Sequence, residues 1–207
     1  MHCFVAPYRR RFSRTVVIAF VFATWALAAA PAARAGDSLL DLMKQPGHLT
    51  FMRHALAPFE GAPRETARTA DALGPCETQR NLSDQGRANA VRIGEMFRSS
   101  GVAFEQVFTS KWCRCRETAE LIMQRPVENW PLINSFYTDP DKSKGPVQIA
   151  KLMAHLTSVQ PLNERMLLVT HGSLITALTG IDTDETEVVI VKADGRGGVT
   201  VIGRGVP

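Results

Sequence analysis

Apolar residues recur along this chain in two rhythms. Short apolar runs that stop at polar or turn residues occur at His48 to Met52, Phe104 to Thr109, Pro126 to Trp130, Arg165 to Thr170, Val188 to Val191 and Val199 to Ile202. Such runs predict strands. Between them the spacing turns helical. Ser83 reads as the N-cap of a helix over Asp84 to Arg98, with Ala88, Val91, Ile93, Met96 and Phe97 as its apolar stripe and Ser99-Ser100-Gly101 as its end. Further helices are predicted from about Arg114 to Gln124, over Val147 to Leu156 (Val147, Ile149, Leu152, Met153, Leu156) and over Ser173 to Thr179. Gly36 to Gly47 suggests a short helix and a turn before the first strand.

Two stretches follow neither rhythm. Residues 55–81 and Leu132 to Pro146 read as loops, with Asp139-Pro140-Asp141 marking a turn. A loop as long as the first is commonly functional. Strands alternating with helices predict an α/β fold, a three-layer sandwich with a mostly parallel sheet and helices on both faces. Asp194-Gly195-Arg196-Gly197-Gly198 turns the last two strands into a hairpin, which makes one sheet edge antiparallel.

The first 35 residues belong to neither pattern. Arg9, Arg10, Arg11 and Arg14 precede an apolar run from Thr15 to Ala30, and Ala33-Arg34-Ala35 supplies small residues where a signal peptidase cuts. Residues 1–35 are therefore expected to be an export signal and residues 36–207 the mature domain, periplasmic or secreted. The apolar run is short for a membrane span, so no stable anchor is expected after cleavage. Arg9-Arg10-Arg11-Phe12 also resembles a twin-arginine signal, so either export route fits.

Removing the leader reverses the charge balance. The full chain has 24 Lys+Arg against 20 Asp+Glu, a net charge of +4. Five of those basic residues lie in the leader and no acids do, so 24 less 5 leaves 19 against 20, a net charge of −1. The basic excess belongs to the leader, and a nucleic-acid partner is not supported. Cys3 leaves with it, and Cys76, Cys113 and Cys115 remain. In an oxidising compartment Cys76 is expected to bridge to Cys113 or to Cys115, against the alternative of three buried thiols. Cys113-x-Cys115 lacks a second Cys pair or a flanking His, so no zinc site is expected.

The candidate chemistry lies at strand ends. Arg53 and His54 follow the first strand, Arg114 follows the second, and His171 with Gly172 follows the apolar run ending at Thr170. The carboxyl edge of an open α/β sheet is where ligands bind. Arginine forks at Arg53 and Arg114 clamp phosphate oxygens in a way lysine does not. His171 adds a donor, and backbone N–H groups near Gly172 open a helix. His48 and His155 have no such company and read as structural or exposed, and Trp112 and Phe136 read as packing.

Three segments carry a resemblance to a known family: Phe51-Met52-Arg53-His54-Ala55; Asn81-Leu82-Ser83-Asp84-Gln85-Gly86 with Ser110-Lys111-Trp112-Cys113-Arg114-Cys115-Arg116-Glu117-Thr118-Ala119; and Leu168-Val169-Thr170-His171-Gly172. In order and spacing they resemble the histidine phosphatase (phosphoglycerate-mutase-like) superfamily. The resemblance implies that His54 attacks phosphorus and forms a phosphohistidine. Through Ser110, Thr118 and Ala119 it selects Arg114 over Arg116 for the pocket. It implies no cofactor and no metal.

The chain departs from the family where a proton donor is needed. Gly172, not Asp, follows His171, and Asn134 stands where the mutase-like branch carries Glu. Asp139, the nearest carboxylate downstream, is taken as the acid, with Glu60 and Glu65 as rivals. The resulting expectation is an exported, metal-independent phosphatase acting through phospho-His54 on a small phosphorylated substrate, such as a sugar or envelope-glycan phosphate. Two alternatives stand beside it: a non-catalytic phospho-ligand binding protein and a protein-phosphohistidine phosphatase, whose phosphoramidate leaving group needs less acid assistance.

Overall fold

Alternation within single strands decides the layering. In β1 (Leu49–Arg53), Leu49 and Phe51 point into one apolar cluster and Met52 into another. β4 (Met166–Thr170) divides likewise, Met166 and Leu168 to one side and Leu167 and Val169 to the other. In β5 (Val188–Ala193), Val188 and Ile190 oppose Val189 and Val191. A strand buried on both faces needs a cover on each. The computed structural model describes residues 38–60, 73–137, 139–141, 143–158 and 163–207, and within them helices supply both covers. The described residues all belong to one unit, Gly36–Pro207. The expected leader over residues 1–35 lies outside them, as does Glu65.

Among the described residues the sheet has six strands, in the order β3-β2-β4-β1-β5-β6. β2 (Gln106–Thr109) pairs parallel with both β3 (Glu128–Asn129) and β4, and β4 pairs parallel with β1. β5 runs antiparallel to β1, and β6 (Val199–Gly205) antiparallel to β5. The fold is thus the expected α/β sandwich, mostly parallel and antiparallel at one edge. One face carries α1 (Leu39–Met43), α2 (Asp84–Ser99) and α3 (Cys113–Met123). The other carries α4 (Lys144–Ser158) and α5 (Gly172–Thr179).

α2 begins as expected, with Ser83 Oγ accepting the Gly86 N–H at 3.0 Å. Its buried stripe is different. Gly86, Ala90, Ile93, Gly94 and Phe97 face the core, whereas Ala88 is exposed. Two glycines sit on that face because backbone approaches there. A Cβ at Gly86 would lie 2.2 Å from the Leu56 carbonyl oxygen, and one at Gly94 would lie 2.4 Å from that of Ile122.

Two other expectations shift. The third strand is confined to Glu128–Asn129, because Pro131–Ile133 closes into a 3-10 turn directly after Trp130. α4 starts at Lys144 inside the expected loop, since a proline in a first helical turn gives up no intrahelical bond. Among the described residues no helix is long and apolar enough to cross a membrane.

Candidate active site

β4 lies between β1 and β2, so three parallel strands end side by side. His54 N–H donates to the Thr170 carbonyl at 2.9 Å and Ser110 N–H to that of Val169 at 3.0 Å. These bonds bring the chain just past β1, β2 and β4 to one edge. A cavity of about 790 Å³ opens there, with Arg53, His54, Arg80, Arg114, His171 and Gly172 on its wall.

His54 is buried, and its Nδ1 lies 2.8 Å from the Ala55 carbonyl. A carbonyl only accepts, so the hydrogen is on Nδ1 and the lone pair of the neutral ring is on Nε2. Arg114 Nε donates to that Nε2 at 3.2 Å. Burial, then the Arg114 cation, hold the His54 pKa well below its ordinary value. The imidazole is therefore neutral, with its nucleophilic nitrogen facing the cavity's cations. Ala55 is fixed in turn: its N–H donates to Thr118 Oγ1 at 3.0 Å, whose hydroxyl donates to the Arg114 carbonyl at 2.7 Å.

Arg114 spreads its fork across the site. Besides His54, Nη2 lies 3.5 Å from His171 Nδ1, and Nη1 donates to the Arg80 carbonyl at 3.5 Å. His171 Nε2 lies 2.8 Å from Ser110 Oγ, which donates to Asn134 Oδ1 at 3.3 Å. With Arg114 donating to Nδ1, Nε2 carries the ring hydrogen and donates to Ser110. Burial and the Arg114 cation push the His171 pKa well below its ordinary value too. His171 caps α5, whose first residues Gly172 and Ser173 line the cavity, so the positive end of the helix dipole faces an incoming anion.

Arg53 is half-buried and comes from the other side. Its guanidinium donates to the Thr183 carbonyl and, at 3.0 Å, to Glu185 Oε1. Arg116, by contrast, is exposed on α3 and is not on the cavity wall. The four residues Arg53, His54, Arg114 and His171 are thus brought together, with Gly172 beside them.

Asp139 is not brought in. Its Oδ1 accepts the Asp141 N–H at 2.9 Å and its Oδ2 pairs with Lys144 at 3.3 Å, so the carboxylate secures the turn into α4. It is not on the cavity wall, and this corrects its assignment as the acid. Glu60 is not on the wall either. Asn134 is occupied: its Oδ1 also takes the Lys111 N–H at 2.8 Å, behind His171. The one carboxylate on the wall among the described residues is Asp182, in the connection from α5 to β5.

Arg80 is a third cation that the sequence reading passed over. It is buried, its Nη1 donates to the Ala57 carbonyl, and its guanidinium carbon lies 4.0 Å over the Phe59 ring. Sitting in a loop without periodicity, it offered no pattern; the nearby Cys76 was the available signal. Phe136, read from the sequence as packing, lines the cavity with the exposed Phe59 and Tyr137. Trp112 is buried and meets His171 edge-on at 5.3 Å. His48 is buried and bonds the Leu42 carbonyl, and His155 is exposed with its ring against Trp130, the structural and exposed roles expected. The disulfide joins Cys76 to Cys113, leaving Cys115 as a buried thiol 3.4 Å from His171 Nε2.

Three arginines, two neutral histidines and a helix N-terminus surround one cavity of this α/β protein, an arrangement whose charge and donors suit a phosphoryl group. Residues 49–134 match the family model for the histidine phosphatase superfamily (branch 1). No curated protein matches the chain in sequence. Solved structures similar to it include the protein histidine phosphatase SixA complexed with tungstate, at 18% identity and a TM-score of 0.54, covering 77% of this chain and 97% of that one. The alpha-ribazole phosphatase from Shigella flexneri has 16% identity and a TM-score of 0.53, with 75% and 94% coverage. Phosphoserine phosphatase from Entamoeba histolytica, in complex with phosphoserine, has 13% identity and a TM-score of 0.54, with 76% and 95% coverage. At such identities the likeness is one of fold.

Proposed function

We propose that this protein is a metal-independent phosphatase that hydrolyses a small phosphorylated substrate through a phosphohistidine at Nε2 of His54. The observation that carries this reading is the fixed tautomer: Nδ1–H is committed to the Ala55 carbonyl, so the lone pair is on Nε2 beside Arg114. An entering phosphoryl group replaces His54 and His171 as acceptors for the Arg114 fork, and Arg53 and Arg80 neutralise its remaining charge. Nε2 then attacks phosphorus, the bond to the leaving oxygen breaks, and that oxygen takes a proton. Water attacks the phosphohistidine, releasing phosphate and restoring neutral His54.

Asp182 takes the proton-donor role in this scheme, as the carboxylate on the wall. Phe59 and Tyr137, exposed at the mouth, favour a substrate with a ring to stack, such as a sugar phosphate or a phosphorylated envelope glycan. Export through the leader at residues 1–35 to the periplasm or the medium completes the proposal, and a Cys76–Cys113 disulfide suits that oxidising setting. One observation favours a second reading as a protein-phosphohistidine phosphatase: among the described residues the wall carries a single carboxylate, and it is exposed. A phosphoramidate bond leaves with little acid help.

The test is turnover of p-nitrophenyl phosphate, an alkyl phosphate and a phosphohistidine peptide, with and without EDTA. His54→Ala is expected to abolish turnover and acid-labile phosphoenzyme; activity surviving it, or lost to EDTA, overturns the mechanism. Asp182→Asn should slow the alkyl ester roughly tenfold or more while sparing the nitrophenyl ester, and Asp139→Asn should leave both near wild type. An unchanged alkyl rate in Asp182→Asn removes it as the acid. Phosphate binding without turnover points instead to a binding protein. N-terminal sequencing of the periplasmic product of the full chain should begin near Gly36.

A further inference from the structure

The segment that carries Arg80 has little apolar anchorage. Residues 74–81 contribute no side chain to either apolar cluster, and their regular structure is one 3-10 turn, Cys76–Thr78. Polar bonds and one covalent bond hold the segment. Cys76 is joined to Cys113, the first residue of α3, which directly precedes Arg114. Beside the disulfide, Cys113 N–H donates to Gln79 Oε1 at 3.1 Å, and Gln79 Nε2 donates to the Gly74 carbonyl at 2.9 Å. Asn81 Nδ2 donates to the Cys76 carbonyl, and Arg114 Nη1 reaches the Arg80 carbonyl at 3.5 Å. Gln79 is 2% exposed and Arg80 8%. Two cations from distant parts of the chain are thus fastened at one seam.

We propose that the Cys76–Cys113 disulfide is a positioning element of the phosphate clamp, holding Arg80 beside Arg114, so that its reduction weakens phosphate binding while the fold persists. Residues 74–81 supply no strand and no member of either apolar cluster, so the fold has its own support. Opening the bond returns conformational freedom to a segment that the bond had restricted. A dithiol reductant performs the step: the S–S bond breaks, each sulfur gains one electron and one proton, and the reductant closes to its own disulfide. The inference rests on the phosphatase reading for its kinetic readout. Inorganic phosphate binding reads the clamp directly.

The experiment compares oxidised enzyme with enzyme reduced by dithiothreitol, measuring kcat and KM for p-nitrophenyl phosphate, the Kd of inorganic phosphate by calorimetry, and thermal unfolding by circular dichroism. Reduction is expected to raise KM and the phosphate Kd roughly tenfold, the loss expected when one charge-assisted contact to the anion goes. kcat should stay within about threefold, as for a group that binds ground and transition states alike. Unfolding should remain cooperative. Cys76→Ser should show the reduced behaviour without reductant and ignore its addition. Arg80→Ala should already bind phosphate weakly, and reduction should weaken it no further.

The proposal is overturned if reduction leaves KM and Kd unchanged. It is equally overturned if reduction weakens Arg80→Ala as much as wild type, or if the reduced protein loses its cooperative transition, which would make the disulfide a brace for the fold. Absence of turnover in the oxidised enzyme would refute the phosphatase reading alone, and the calorimetric arms would still decide this one.

Discussion

Arg114→Lys keeps the charge at the centre of the site and removes its shape. The directed contacts of the guanidinium include His54 Nε2 at 3.2 Å, His171 Nδ1 at 3.5 Å and the Arg80 carbonyl at 3.5 Å. The first two mark where phosphate oxygens arrive when the histidines are displaced as acceptors. A lysine ammonium serves one such position as a point charge and leaves the others. Two lost charge-assisted bonds at about 1.5 kcal/mol each amount to roughly 3 kcal/mol. That is a fall of about 100-fold or more in kcat/KM. The assay is steady-state hydrolysis of p-nitrophenyl phosphate, with rapid quench into alkaline detergent to trap the phosphoenzyme. Arg116→Lys, two residues along α3 and exposed, serves as the control and should stay within about threefold, the level of an ordinary surface change. A lysine at 114 that retained wild-type kcat/KM would show that the fork does not hold phosphate.

Two further outcomes follow from buried groups. His54 and His171 both have pKa values held well below 6.5 in the folded protein, by burial and then by Arg114. Below pH 6.5 the unfolded chain takes up protons that the native one refuses, so stability is full above that pH and falls as pH drops towards the folded pKa values. Two protons give a slope of at most about 2.7 kcal/mol per pH unit. Urea unfolding between pH 7.5 and 5 measures it, and a flat profile would contradict neutral buried histidines. Gly86→Ala puts a Cβ at 2.2 Å from the Leu56 carbonyl oxygen, which already accepts the Ser83 N–H at 3.0 Å. Backbone on both sides has to move, at about 1–3 kcal/mol. Thermal melts should show the loss, and an unchanged melting temperature would refute the close approach.

Much of the fold was legible because strand and helix periods differ and each apolar run ends at a polar residue. The antiparallel edge was legible from Asp194 to Gly198, where glycine and aspartate force a turn. α4 was read short because Lys144-Gly145-Pro146 looks like loop chemistry, although proline suits a first turn. The stripe of α2 was misjudged at Ala88 because close packing of backbone against Gly86 and Gly94 leaves no hydrophobic signal. In the site, residues fixed by strand ends were legible and residues fixed by loops were not. Arg53 ends β1, His54 and His171 directly follow β1 and β4, and Arg114 lies in the first turn of the helix after β2. Arg80 depends on a disulfide, and Asp182 on a connection whose course no local pattern dictates. Asp139 misled because nearness in sequence said nothing of its use by Asp141 and Lys144.

The insertion of β4 between β1 and β2 also orders events in time. β1, which leads into His54, and β2, which leads towards Arg114, share no ladder with each other; each pairs with residues 166–170. A growing chain that has reached Asn134 has already made both His54 and Arg114, yet lacks the strand that seats them side by side. Closing this site waits on contacts far apart in sequence, the slow kind in folding. The cations and the imidazole therefore meet only once residues 166–170 are made, so a shorter nascent chain carries Arg53, His54 and Arg114 without the ladder that brings them together.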